Sequence, residues 1–239
     1  MKKTMMILLA LSLACIVAVG STMSYLTYTD YDVNTMVVGN VQISQLEQKR
    51  ENGALVDFVD DVKLLPVTDV TANSFEINGK EYQLLNTEYN AVDKIVTVKN
   101  EGTEDAYVRT LIAFEMLKGE DDTWKNPLTD GNLKMNAPNV TETGVTFEKN
   151  GTWYALYVCT YSAPLTSGQT TAPSLLQVYL SSKEKGEFYE GVGASYEILA
   201  LSQAVQAAGF TAGAEAALNE AFGAIDAANA ATWFGGIGA

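Results

Sequence analysis

Histidine is missing from all 239 residues. Without an imidazole there is no Ser-His-Asp or Cys-His catalysis, and no HExxH zinc site, which needs two imidazoles on one helical face. Cysteine is almost as scarce, with Cys15 and Cys159 the only two. Basic residues are outnumbered, 15 against 29 acids, for a formal net charge of −14. Such a surface argues against nucleic acid or an anionic membrane as a partner gripped through a basic face. The sequence also lacks GxGxxG, GxxxxGK[ST] and Gly-x-Ser-x-Gly stretches; Gly191-Val192-Gly193 is too short to cradle a phosphate.

What is present begins with an export signal. Lys2 and Lys3 give a positive start, and an uncharged apolar run follows from Met5 to Val19. Gly20 breaks the run, and Thr22-Met23-Ser24 sets small residues at the −3 and −1 positions of a cut between Ser24 and Tyr25. The run is shorter than the roughly 20 residues that span a bilayer. The expectation is therefore a cleaved signal peptide over residues 1–24, with membrane contact only while the signal is uncleaved. Cys15 sits inside the apolar run, not at its end, which argues against a lipid anchor. Cleavage removes 24 of 239 residues, leaving 215. It also removes two lysines and no acid, taking the charge from −14 to −16. Cys159 then has no intramolecular partner, and its apolar surroundings predict a buried, inert thiol.

From Val37 to Leu201 the pattern is β. Phe75-Glu76-Ile77, Asn78-Gly79 and Lys80–Leu84 read as a hairpin, because Asn-Gly supplies the positive φ angles of a type I′ turn. Asn150-Gly151 marks a second such turn. Further strands are predicted at Lys94–Lys99, Tyr107–Met116, Val145–Glu148, Thr152–Tyr161, Leu175–Ser181 and Ser195–Leu201. The polar stretch Lys118–Thr143, with Gly119, Pro127, Gly131 and Pro138, reads as a long loop or insertion. Short strands without intervening helices predict a mainly β fold, an antiparallel sandwich or barrel.

Beyond Leu201 the composition turns to alanine. Ala214, Ala217, Leu218, Ala221 and Phe222 share one helical face. Thr211 is the predicted N-cap and Gly223 the C-terminal stop. A shorter helix is predicted over Ser202–Ala208. The expected organisation is a signal at 1–24, an extended segment at 25–36, a sandwich at 37–201 and an Ala-rich helical tail at 202–239. Small-residue helices bury little area and need a docking surface: a flap on the sandwich, or a contact to another subunit. Trp233 and Phe234 open an apolar end that reads as a loose tail or a docking peptide.

Carboxylates are the remaining source of chemistry. Asp57, Asp60 and Asp61 cluster, as do Glu120, Asp121 and Asp122, and Asp30 with Asp32. None has EF-hand spacing, and acid pairs hydrolyse glycosides only across a cleft. Solvated acidic loops are the simpler reading. No catalytic, cofactor-binding or metal-ligating residue is assigned.

Several stretches carry a family resemblance. The run Gly20–Thr27 continues through Asp30 and Asn34 to Val38-Gly39-Asn40-Val41-Gln42-Ile43 and Leu46-Glu47. It resembles the SipW-dependent signal and first strand of the TasA/camelysin family of Gram-positive bacteria. Val96-Thr97-Val98-Lys99-Asn100-Glu101-Gly102 and Ala106-Tyr107-Val108-Arg109 resemble two further strands of that family. Ala204–Phe210, with Ala217 and Phe222-Gly223, resembles the tails of clostridial members. The resemblance implies a jelly-roll-like β-sandwich, export by a dedicated signal peptidase, and a place at the cell surface or in a biofilm matrix. It also implies fibres in which an N-terminal segment adds a strand to the neighbouring subunit. Residues 25–36 are the candidate donor, with Tyr25, Leu26, Thr27, Tyr28 and Tyr31 suited to a strand. The alternative is that this segment folds back on its own sandwich. Camelysin-like relatives are described as metallopeptidases, but with no histidine in this chain no such site carries over.

The leading expectation is thus a secreted, non-enzymatic structural protein that self-associates into filaments. A monomeric extracellular module binding a ligand or carbohydrate is the second reading, and a hydrolase using carboxylates the third.

Overall fold

The computed structural model describes residues 26–27, 34–58, 64–119, 121–181 and 196–235. The predicted signal, the cleavage pair Ser24 and Tyr25, and Tyr28, Asp30, Tyr31, Asp32, Asp60, Asp61 and Glu120 lie outside the described residues.

Alternating apolar residues divide the strands between two sheets. One has the spatial order β1 (Leu26–Thr27), β2 (Asn34–Val38), β15 (Ile198–Gln206), β8 (Ala106–Glu115), β13 (Thr152–Thr160), β12 (Thr141–Lys149). The other runs β11 (Leu133–Asn136), β14 (Leu175–Leu180), β7 (Val92–Asn100), β3 (Ile43–Glu51), β4 (Ala54–Asp57). Their facing sides form the core. Ile112, Phe114, Ala155, Tyr157 and Ala200 of the first sheet meet Val92, Val96, Leu175, Val178 and Leu180 of the second. The fold is an antiparallel β-sandwich with a short Ala-rich helical appendage at its C-terminal end. One pairing departs from the antiparallel expectation: β2 runs parallel to β15.

Both sheets are also covered on their outer sides. The hairpin of β5 (Ala72–Ile77) and β6 (Lys80–Leu85) lays Ile77, Tyr82 and Leu84 over Ile95 and Leu176 of the second sheet. This explains why β7 is buried at almost every position and shows no alternation. The predicted turns hold: Asn78 and Gly79 have φ of 51° and 77°, Asn150 and Gly151 53° and 85°. Asn52 and Gly53 make the same kind of turn between β3 and β4, at φ of 53° and 79°.

Three expectations are corrected. Residues 202–206 are not helix but the end of β15, so the sandwich extends to Gln206 and not to Leu201. Ser202 and Ala204 point inward and Gln203 and Val205 outward, and pairing with β8 and β2 on either side overrides alanine's helical preference. Lys118–Thr143 is not one loop. It holds the short pair β9 (Leu117–Lys118) and β10 (Trp124–Lys125), then β11, which adds to the sheet edge because Leu133 and Met135 reach the core. Thr211 does not cap a helix: the chain turns through Gly213, and α1 (Ala214–Phe222) starts there without a side-chain cap. Gly223 ends α1 as expected, its N–H bonded to Asn219 O at 2.9 Å. A second helix, α2 (Ala227–Phe234), is capped by Asp226, which accepts from the Asn229 N–H at 2.8 Å.

Candidate functional site

The predicted donor segment leads to the edge of the first sheet. Its last residues and the first of the sandwich are one strand, so β2 straddles the expected boundary at 36/37. Asn34 to Val38 pair in order with Leu201 to Val205 of β15. Leu26 and Thr27 add a further antiparallel rung on Thr35 and Asn34. In the single chain, then, this part of the segment folds back onto its own sandwich. Exposed Gly39 and Asn40 follow, and the chain crosses to β3 in the other sheet. Gly39 has a φ of 90°, which a side chain would strain.

β2 is gripped from two sides because its side chains alternate. Val37 points inward to Val41, Ile43, Val98, Val108 and Ala204. Met36 and Val38 point outward, where the helices lie. Met36 joins the cluster of Leu111, Leu201, Trp233 and Phe234, while Val38 joins that of Val205, Ala217 and Leu218. The alanines serve this arrangement, since small side chains let α1 and α2 lie close to the sheet. The helices are a flap on their own sandwich, and Trp233 and Phe234 are core, not tail.

Arg109 ties the parts together. It lies mid-strand in β8, is 1% exposed, and sits in register with Gln203, which is in register with Met36. Its Nε donates to Gln203 Oε1 (2.6 Å), Nη1 to Asn219 Oδ1 of α1 (2.7 Å) and Nη2 to the Gly223 carbonyl (3.2 Å). The guanidinium also lies over the Trp233 ring of α2, 5.1 Å from its centroid. Burial pulls its pKa down to about 10, partly offset by Glu215, so it is charged at neutral pH. Gln203 Nε2 in turn donates to Met36 Sδ at 3.5 Å. In the sequence Arg109 stands only as the last residue of the Ala106-Tyr107-Val108-Arg109 motif, with no role assigned to it. The signal was there: a lone cation within the apolar run Val108–Phe114.

Glu115 and Glu197 lie at adjoining ends of β8 and β15 in one sheet, with the Glu197 N–H donating to Glu115 Oε2 at 2.7 Å. Tyr154 Oη donates to Glu197 Oε2. Burial holds the Glu115 carboxyl above the ordinary carboxylate range, against the lowering pull of the Glu197 N–H bond and with a smaller push from the Glu197 carboxylate. These two are neighbours at one end of the same sheet, not partners across a cleft. Asp57 is exposed. Asp121 accepts from Thr123, which lowers its pKa, and Asp122 pairs with Lys118 at 2.8 Å. Among the described residues no three acid, cysteine or histidine side chains gather as a metal-binding group. Cys159 is buried, which raises its thiol pKa and disfavours the reactive thiolate.

No family model and no curated protein matches this sequence.

Proposed function

We propose that this chain is a secreted, non-enzymatic structural subunit of the cell surface or extracellular matrix, which assembles by exchanging its N-terminal strand. The observation that carries the reading is β2. It lies second from the edge of its sheet, between the two-residue β1 and β15, near the predicted start of the mature chain, and exposed Gly39-Asn40 joins it to the rest. The same strand delivered by a neighbouring copy would make the same backbone bonds and fill the same side-chain sites. Each subunit would then receive a strand at one place and donate from another. Such a head-to-tail contact is heterologous and propagates into a filament unless the rotation closes a ring. The resemblance of the N-terminal region to the TasA/camelysin family supports the same reading. The connection from Gly39 to Gln42 is short, so exchanged subunits would sit close together.

The test compares residues 25–239 with a chain lacking 25–38, by negative-stain electron microscopy and sedimentation. The longer chain is expected to form filaments and the shorter one to form none. A synthetic peptide of residues 25–40 should cap growing ends and shorten filaments. A mature chain that stays monomeric at high concentration across pH overturns the reading.

A further inference from the structure

We infer that the helical appendage is a clamp on the strand-receiving edge, with Arg109 as its latch and Gln203 setting the register of residues 34–38 of a second copy. The inference rests on the strand-exchange reading for where that strand comes from. Its physical content is visible within one chain.

The clamp follows from what the helices touch. α1 and α2 do not cover the sheet at random: the first packs on the cluster that includes Val38, the second on the cluster that includes Met36. Removing β2 would take Met36 and Val38 from the clusters on which the helices pack and open one side of each. Conversely, lifting the helices would expose both outward side chains of the strand. Occupation of the edge and closure of the helices therefore stabilise one another.

The latch follows from the hydrogen bonds of Arg109. A buried guanidinium is costly unless its donors are satisfied. Here two of its bonds, to Asn219 and to the Gly223 carbonyl, come from α1 and its C-terminus, and its face lies on Trp233 of α2. With the helices lifted, the cation keeps only the Gln203 contact among these. Opening the clamp thus exchanges these buried contacts of the guanidinium for contacts with water and exposes apolar surface.

Register follows from Gln203. Arg109 occupies its carbonyl oxygen, which fixes the amide orientation and turns Nε2 toward β2. A thioether is a weak acceptor, but Val38 offers none at all. A two-residue slip that set Val38 opposite Gln203 would leave that donor facing an aliphatic side chain. A one-residue slip would turn Val37 out and Met36 in, reversing every contact. Arg109, through Gln203, is a positioning residue for the strand.

The experiment is amide hydrogen exchange on the full mature chain, using two point variants. Asn219→Ala removes a latch partner that is only partly buried, so the fold should survive. Amides of residues 34–38 should then exchange about tenfold faster, with those of β7 unchanged. Met36→Ser disturbs the other end, and amides of 214–234 should accelerate by a similar factor while β7 again stays protected. The inference is overturned if β2 and β7 accelerate together, which marks general destabilisation, or if the helices are indifferent to Met36→Ser. Failure of the strand-exchange reading looks different: no filaments form, yet the two-way coupling within the chain persists. Filaments without that coupling would sink the clamp alone.

Discussion

Phe147 of β12 and Phe234 of α2 stack with ring centroids 5.2 Å apart and 21° between their planes. Phe147 stacks on Tyr154 as well, at 5.5 Å, so the last helix continues an aromatic column that starts in the sheet. Phe234 is fully buried and belongs to the cluster of Leu111, Leu156 and Leu199. Phe234→Ala should therefore destabilise the chain by about 3–5 kcal/mol, as expected for a fully buried phenylalanine. Thr232, two residues earlier and exposed, should change stability by no more than about 0.5 kcal/mol when replaced by alanine. Urea unfolding of the two variants checks this. Equal midpoints would mean that α2 adds nothing to the sandwich.

On the opposite sheet, Asp93 is the hub of a buried polar group. It accepts from Arg50 Nε at 2.7 Å and Nη2 at 2.9 Å, from the Arg50 N–H at 3.0 Å, and from Gln177 Nε2 at 2.8 Å. Its side chain is 1% exposed, against 16% for Arg50. Asp93→Ala would leave the guanidinium and the Gln177 amide facing an apolar gap, with an expected loss of about 3–5 kcal/mol. Arg50→Ala alone should also destabilise, and the double variant by less than the two losses added. An additive result in the double-mutant cycle would show that the pair is not coupled.

How much of this was legible in the sequence varies with the range of the interaction. The two Asn-Gly turns were readable because positive φ is a local demand, met by the residues at the turn itself. Asn52-Gly53 carries the same local signal. The end of β15 was not readable. Ser202-Gln203-Ala204-Val205 has the composition of a helix, and only its neighbours on both sides make it a strand. The same limit explains the site. Residues 25–36 suggested an extended segment, but nothing local says that Asn34–Val38 pairs with a strand more than 160 residues away. Arg109, Gln203 and Met36 are brought into one row by sheet register alone.

The Asn100-Glu101-Gly102 corner shows why glycine is needed in the motif. The N–H groups of Glu101 and Gly102 both donate to Gln42 O, at 2.8 and 3.0 Å. A Cβ on Gly102 would lie 2.8 Å from Gln42 N, a backbone atom that cannot swing away. Gly102→Ala should cost about 1–3 kcal/mol through this overpacking. Gly53 makes the contrast, since a Cβ there meets nothing within 4 Å but its φ is 79°. Gly53→Ala should cost about 1–2 kcal/mol through backbone strain alone. Asn at position 53 tolerates that conformation better and should recover part of the loss, whereas Asn at 102 should be worse than Ala. Thermal unfolding of the four variants separates the two causes.

Glu115 predicts a pH dependence whose sign can be worked out. Its carboxyl is partly buried, receives the Glu197 N–H, and lies near the Glu197 carboxylate; among the described residues Tyr154, Tyr157 and Tyr196 are further titratable groups at this end of the sheet. Burial raises its pKa above the ordinary value of 4.5; the hydrogen bond from the Glu197 N–H opposes this, and the Glu197 carboxylate adds a smaller rise. The folded chain therefore holds a proton that the unfolded chain has already released. Its contribution to stability is complete below the ordinary value and is lost as pH rises through the raised one. Glu115→Gln keeps a carbonyl oxygen for the Glu197 N–H but removes the ionisation. The variant should gain stability over the parent as pH rises through that window and hold the gain at neutral pH. Glu197→Gln tests the ranking of causes: it takes away the repulsion but leaves the burial, so the window should narrow without closing. Urea midpoints across the acid range give both results. A gap between Glu115→Gln and the parent that does not change with pH would mean that the carboxyl is not perturbed, and a window that Glu197→Gln closes completely would make repulsion, not burial, the larger cause.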